Sequence, residues 1–379
     1  MLKSNHPETL SVHAGKTVDP ATGAVTPNLT LATTFERAPD GSLPHGFVYS
    51  RYDNPNRHGL ETALAALEGG PTALAFASGQ AATAAVLQSL EPGARVVFAD
   101  DIYHGTRQLV TTQFVRWGLH GEFADFTDLA ALEKLLRAAP VRLVWFETPS
   151  NPCLKIADIA AVARLARAAG ALVVVDNTWA TPVLTRPLAL GVHVVMHSST
   201  KYFGGHSDVL GGALVLGADC PADTATRLRE WQRLGGAAPA PFDCWLLHRS
   251  LATLPVRVRA QTDTAARLAA WLAAHPRVER VNYPGLPTHA GHDIAKRQMA
   301  GFGAMMSFHV KGGFDAAKAV ASKVKLITRA TSLGGVESLI EHRKLVEPAG
   351  STTPENLLRF SVGLEHFEDL QADLAQALG

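Results

Sequence analysis

The chain has 379 residues, enough for about two or three domains with sizeable cores. Hydrophobic residues make up 47% and charged ones 18%, and 35 Lys+Arg against 34 Asp+Glu leave a net charge of +1. This balance excludes a disordered chain and argues against nucleic acid or an anionic membrane as partner. No apolar run approaches membrane-spanning length, and the first twenty residues carry charges and no apolar signal core. Three widely separated cysteines, Cys153, Cys220 and Cys244, suit a reducing cytoplasm better than a disulfide framework.

Residues 1–58 read as an irregular segment, with prolines at 7, 20, 27, 39, 44 and 55. Tyr49 and Arg51, followed by Asn54-Pro55, favour an arm laid on a partner over a free tail. Residues 59–240 alternate helical and strand-like runs. Residues 60–68 predict a helix, 72–76 a short strand, and Ser78-Gly79 opens a helix over 80–90. A strand follows at 95–99. Asp128 and Asp158 each stand where an N-cap is needed, ahead of helices bearing leucine, isoleucine and valine on one face. Gly170 is the expected stop of the second. Further strands are expected at 142–146, 172–175, 192–196 and 213–216. Apolar strands alternating with helices predict a mostly parallel sheet covered on both faces. From 241 to 379 the pattern is α+β. It begins with a long helical stretch interrupted at Pro255, whose Arg257 and Arg259 fit a solvated face, and short strands follow at 304–310 and 358–361.

Ligands of open α/β sheets gather beyond the carboxyl ends of the strands. At those places the chain puts Ser78, Gly79 and Gln80 at a helix start, Tyr103, Asp176, and finally Ser198, Thr200 and Lys201. A helix N-terminus opened by glycine is an anion site. A lysine buried past a strand end loses the stability of its ammonium, and its amine becomes a nucleophile able to form a Schiff base. Alone, Ser-x-Thr-Lys reads as a strand-to-loop lysine whose ammonium reaches solvent, and the rest of the chain has to overturn that reading. A phosphate cradle, a carboxylate and a Schiff-base lysine together suit pyridoxal 5'-phosphate, whose ring works as an electron sink when an apposed carboxylate keeps its nitrogen protonated. Such a charge at about 4 Å contributes roughly 4 kcal/mol at an effective dielectric of 20.

The sequence also carries Tyr49-Ser50-Arg51 with Asn54-Pro55, Ser78-Gly79, Glu147-Thr148-Pro149-Ser150-Asn151-Pro152, Val175-Asp176-Asn177-Thr178, Ser198-Ser199-Thr200-Lys201-Tyr202, Ser332-Leu333-Gly334-Gly335 and Arg359-Phe360-Ser361-Val362-Gly363. In these motifs and their order it resembles the pyridoxal-phosphate enzymes of cysteine and methionine metabolism. That family includes cystathionine γ-synthase, cystathionine γ-lyase, cystathionine β-lyase and methionine γ-lyase. The resemblance implies the aspartate-aminotransferase type of fold (fold type I). Lys201 would be the Schiff-base lysine and proton carrier, Asp176 the partner of the ring nitrogen, and Tyr103 the stacking and proton-transferring tyrosine. Gly79 and Gln80 amides, with Ser78, Ser198 and Thr200, would bind the phosphate. Tyr49 and Arg51 would reach a neighbouring subunit's phosphate, in a homotetramer built from two dimers. Arg359 would clamp the substrate α-carboxylate, with Ser332 and Asn151 as further contacts.

The resemblance has departures. Thr331 stands where a glutamate commonly precedes the serine, and Gln108, with Arg107 one place early, where an arginine is common. Leu333 replaces the tryptophan of bacterial β-lyases. His342-Arg343 replaces the usual His-Pro, and Gly105 replaces the cysteine of methionine γ-lyases. The usual charged reader of a distal ammonium is therefore expected to be missing. This favours β- or γ-elimination from a sulfur-containing amino acid, with γ-replacement on an O-acyl-homoserine as the near alternative. An aminotransferase or a non-catalytic relative of the fold are remoter ones. His289-x-x-His292 lies in a Pro/Gly-rich loop without the other ligands a metal needs. His197 and His206 read as packing or local hydrogen bonds, and Cys153 as a plain buried thiol.

Overall fold

The computed structural model describes residues 6–347, 351 and 353–379. Residues 1–5, which belong to the expected arm, lie outside them. Seven strands form the large sheet: β1 (Thr72–Phe76), β2 (Arg95–Ala99), β3 (His120–Ala124), β4 (Leu143–Glu147), β5 (Leu172–Asp176), β6 (Val194–His197) and β7 (Gly212–Leu216). Their order is β1-β7-β6-β5-β4-β2-β3, and only β7 runs antiparallel to its neighbours. The central strands β4, β6 and β7 are buried along their whole length, as strands covered on both faces must be. The edge strand β3, His-Gly-Glu-Phe-Ala, is partly exposed and too polar to stand out in the sequence.

Four of the helices begin where a short polar side chain satisfies a free amide. In α1 (Pro7–His13) and α2 (Pro55–Glu68) proline opens the first turn. Asn54 caps α2, its Oδ1 accepting from Asn56 N at 2.9 Å, so this helix starts five residues before the predicted position 60. Ser78 caps α3 (Gly79–Gln88), accepting from Ala81 N at 3.1 Å. The short α4 (His104–Gln108) follows Tyr103. Asp128 and Asp158 cap α5 (Leu129–Ala138) and α6 (Ile159–Ala168), as their positions predict. The segment before residue 58 is not wholly irregular. In α1, Leu10 and Ser11 are buried, and Glu8 pairs with Arg259. A single buried leucine gives too little periodicity to reveal so short a helix.

The smaller sheet holds β8 (Val278–Asn282), β9 (Met305–Val310), β10 (Thr328–Arg329), β11 (Leu339–His342) and β12 (Leu357–Ser361), in the order β10-β11-β12-β9-β8. The expected long helical stretch is two helices, Pro241–Leu251 and Leu254–Ala273, with Pro255 in the first turn of the second. Arg257 corrects the reading of a solvated face. It is 4% exposed, and its Nη1 donates to Tyr202 O at 2.8 Å and its Nη2 to Ser250 O at 3.0 Å. Two residues along a helix turn the side chain to the other face, so Arg259 meets solvent while Arg257 anchors the loop behind Lys201.

Candidate active site

The carboxyl ends of β1, β2, β4, β5 and β6 open onto one pocket, and the loop before β11 together with β12 closes it from the smaller sheet. Ser78, Gly79, Gln80, Tyr103, Asn151, Asp176, Ser198, Thr200, Lys201, Ser332 and Arg359 all line it. These eleven residues come from distant parts of the sequence and converge as the strand-end argument predicts. Tyr49 and Arg51 are not among them. Tyr49 is 43% exposed, and Arg51 lies over the Tyr49 and Tyr52 rings at 5.7 and 5.1 Å while donating to Arg233 O at 2.7 Å.

At one end of the pocket the N-terminus of α3 presents its first amides. A Cβ added at Gly79 would lie 3.0 Å from Ser198 Cβ, so only glycine leaves this approach free. The Thr200 hydroxyl accepts from Gly211 N at 3.1 Å, which pins the turn leading into Lys201. The free amides, the dipole and the nearby hydroxyls suit a phosphate.

Along the floor, Glu147 and Asp176 are register partners at the ends of the parallel strands β4 and β5. Two buried carboxylates side by side cannot both stay ionised. Burial, and then the Asp176 charge, push the Glu147 carboxyl well above the ordinary range. Burial raises Asp176 as well, but Thr178 donates to its Oδ1 through both backbone amide and hydroxyl, and His197 and Lys201 favour its anion. Asp176 is therefore the charged member of the pair. Glu147 Oε1 accepts from Tyr103 N at 2.6 Å and so fixes the start of α4. The sequence reading passed over Glu147 because it ends an apolar strand, although it heads a quoted motif.

Lys201 stands opposite. Burial, and then the Arg359 guanidinium, lower its pKa to about 8. Its Nζ donates to Ser332 Oγ at 2.7 Å, and Ser332 holds a left-handed φ of 100° that few non-glycine residues adopt. Arg359 is buried and lowered to about 10 by that burial and by the adjacent Arg343. Its Nη1 donates to Asn151 Oδ1 at 3.3 Å, and its Nη2 to Ser332 O at 3.0 Å and to Glu341 Oε2 at 2.8 Å. Glu341 and Arg343 were missed. They sit on or beside the four-residue β11, which the hydrophobic pattern did not reveal.

The departures have physical readings. Thr331 donates its hydroxyl to Glu341 Oε1 at 2.7 Å. Arg107 turns away from the pocket, over the Phe123 ring at 3.7 Å. A Cβ at Gly105 would fall 2.5 Å from Tyr103 Cε1 and 2.7 Å from Gln80 Nε2, so the tyrosine ring occupies the space a cysteine would need. His197 pairs with Glu68 at 2.6 Å and packs on the Phe203 ring, and His206 donates to Gly204 O at 2.8 Å. His289 Nδ1 accepts from Gly291 N at 3.0 Å, and His292 Nδ1 donates to Pro284 O at 2.8 Å. Burial pushes the Cys153 thiol up to about 12, away from thiolate reactivity.

An amine of low basicity, an anionic carboxylate and an anion-binding helix start around one cavity fit pyridoxal 5'-phosphate. Comparison with known proteins agrees. A family model described as Cys/Met metabolism PLP-dependent enzyme matches residues 8–379. Cystathionine gamma-synthase of Mycobacterium tuberculosis (strain ATCC 25618 / H37Rv) is 46% identical over 98% of this chain and 97% of its own length. Cystathionine beta-lyase of Coxiella burnetii is 43% identical over 99% of this chain and 98% of its own. The crystal structure of apo CalE6, a methionine gamma lyase from Micromonospora echinospora, superposes with a TM-score of 0.91 at 43% identity, covering 98% of each chain. With the pocket, the sheet order and these matches in agreement, the chain belongs to the Cys/Met-metabolism PLP-dependent enzymes, with pyridoxal 5'-phosphate as its cofactor.

Proposed function

We propose that the chain is a carbon–sulfur lyase that eliminates a thiol from the β or γ carbon of a sulfur-containing amino acid and leaves a 2-oxo acid and ammonia. The observation that carries this choice is the wall facing the substrate side chain. Thr331, its hydroxyl committed to Glu341, stands where a free carboxylate would read a distal ammonium, and Arg107 points elsewhere. Trp179, Met196, Leu210 and Leu333 give the pocket an apolar lining suited to a short neutral thioether.

Bound pyridoxal 5'-phosphate supplies an aldehyde for an amine and a ring that accepts carbanion charge. In this reading the Gly79 and Gln80 amides hold the phosphate, with Ser78, Ser198 and Thr200, and Asp176 faces the ring nitrogen. Tyr103 covers the ring and lends a proton to the departing thiolate. The Lys201 amine takes the Cα proton and carries protons along the side chain, with Ser332 Oγ fixing its swing. Arg359, steadied by Asn151, holds the α-carboxylate as a planar fork. Residues 1–58 serve as an arm, 59–240 as the cofactor domain and 241–379 as the closing domain. Tyr49 and Arg51 complete the partner's site within a homotetramer of two dimers. Their exposure and their absence from their own chain's pocket lining support this. The three free cysteines suit the cytoplasm.

The γ-synthase relative at 46% identity favours a second reading, γ-replacement of an O-acyl-homoserine by cysteine. One panel separates them: cystathionine, methionine, cysteine and O-acyl-homoserines, with products identified. The lyase reading predicts ammonia and a 2-oxo acid from a sulfur amino acid alone. Cystathionine formed from cysteine and an O-acyl-homoserine, with little ammonia, would replace it by the second.

A further inference from the structure

Arg343 stands in the pocket wall beside Arg359, yet the roles above do not use it. It directly follows β11, and its side chain is 6% exposed. Its Nη1 donates to Glu341 Oε2 at 2.6 Å, while Nε and Nη2 donate to Glu347 Oε1 at 3.1 and 2.8 Å. Thr353 Oγ1 donates to Glu347 Oε2 at 2.5 Å, and the Ser351 hydroxyl also donates there. Burial works against the charge of Arg343, but Glu341 and Glu347 outweigh it and raise its pKa. Arg343 is thus a fixed cation.

The consequence falls on Glu341. Its Oε2 accepts from Arg343 and Arg359 together, and its Oε1 is taken by Thr331. One buried carboxylate is divided between two guanidinium groups. Were Arg359 its only cation, the two would form a closed neutral pair, and an incoming carboxylate would meet a site whose charge was already compensated.

We propose that Arg343 is a positioning residue for substrate capture: it draws Glu341 partly off Arg359, so that Arg359 keeps positive charge for the α-carboxylate of the substrate. This rests on the reading of Arg359 as the carboxylate clamp. The α-amino acid is then recognised by a three-residue device, in which Arg359 touches substrate while Glu341 and Arg343 set its charge and aim.

The test uses the holoenzyme and two amines without a leaving group, glycine, which has a carboxylate, and methylamine, which has none, each titrated by the cofactor absorbance. Arg343→Leu should weaken glycine about tenfold or more and leave methylamine unchanged, with KM for substrate rising far more than kcat falls. Arg343→Lys should recover part of the loss. The double variant Arg343→Leu/Glu341→Gln should restore glycine binding, because the competing carboxylate has lost its charge. A double variant as weak as Arg343→Leu, or equal weakening of glycine and methylamine, overturns the proposal. Glu341→Gln alone keeps the test alive if Arg343→Leu does not fold. It should bind glycine at least as tightly as the wild type, and weaker binding contradicts the proposal. Arg359→Ala separates the premise from the inference. Intact glycine binding there removes the clamp itself, whereas loss there with none in Arg343→Leu removes only the role of Arg343.

Discussion

The two halves of the pocket are built on different principles. The half contributed by the large sheet is a row of strand ends, with apolar interiors in β1, β4, β5 and β6 and the polar groups just past or at their last residues. The half contributed by the smaller sheet places ionised groups within the strands themselves. Glu341 and Arg359 are direct cross-strand partners on β11 and β12, and both are buried. The first half offers the cofactor hydrogen bonds from a preformed rim. The second keeps a buried cluster of two arginines and two glutamates, Arg359 and Arg343 with Glu341 and Glu347, whose internal pairing, on the proposed roles, sets the charge a substrate meets. On the proposed roles, cofactor binding belongs to topology and substrate reading to charge compensation.

Variants can break that comparison. The largest effect is expected for Lys201→Ala, which should lower turnover about a thousandfold or more, since both nucleophile and proton carrier are gone. A steady-state assay with saturating cofactor checks it. Asp176→Asn should cost about a hundredfold in kcat by removing the anion at the ring nitrogen, read from the same assay and from the cofactor spectrum. Arg359→Ala should raise KM by about tenfold or more for every amino-acid substrate, and a rise confined to one substrate would show that it reads a side chain. Cofactor uptake by the apoprotein should speed up as pH rises through about 8, where the Lys201 amine loses its proton, and then level off. A rate still climbing past pH 10 would mean an ordinary lysine. The smallest effect is expected for Glu147→Gln. Because burial and the Asp176 charge push Glu147 toward its neutral form, turnover should stay within about tenfold of the wild type, above Asp176→Asn.

The same division explains what could be read from the sequence. Lys201, Asp176 and Gly79 are legible because each follows a short apolar run at a strand end, where a polar residue has few structural reasons to be. The caps Asp128 and Asp158 are legible for a similar local reason. Edge strand β3 is not, since half-exposed edges tolerate His, Gly and Glu. Strand β11 escapes because it has four residues, two of them titratable. Glu341 and Arg343 then look like surface residues until β12 lies beside them. Arg257 reads as solvated from composition, and only the position of the Tyr202 carbonyl shows that it is buried. Local chemistry was visible in one dimension, whereas compensation of charge across strands required the fold.

The central claim is that one lowered-pKa amine in this pocket captures the cofactor aldehyde. Incubation with pyridoxal 5'-phosphate, reduction with borohydride and peptide mapping test it most directly. The account predicts a pyridoxyl group on Lys201 and on no other lysine. A modification spread over surface lysines, or a stoichiometric one at any other residue, would contradict it.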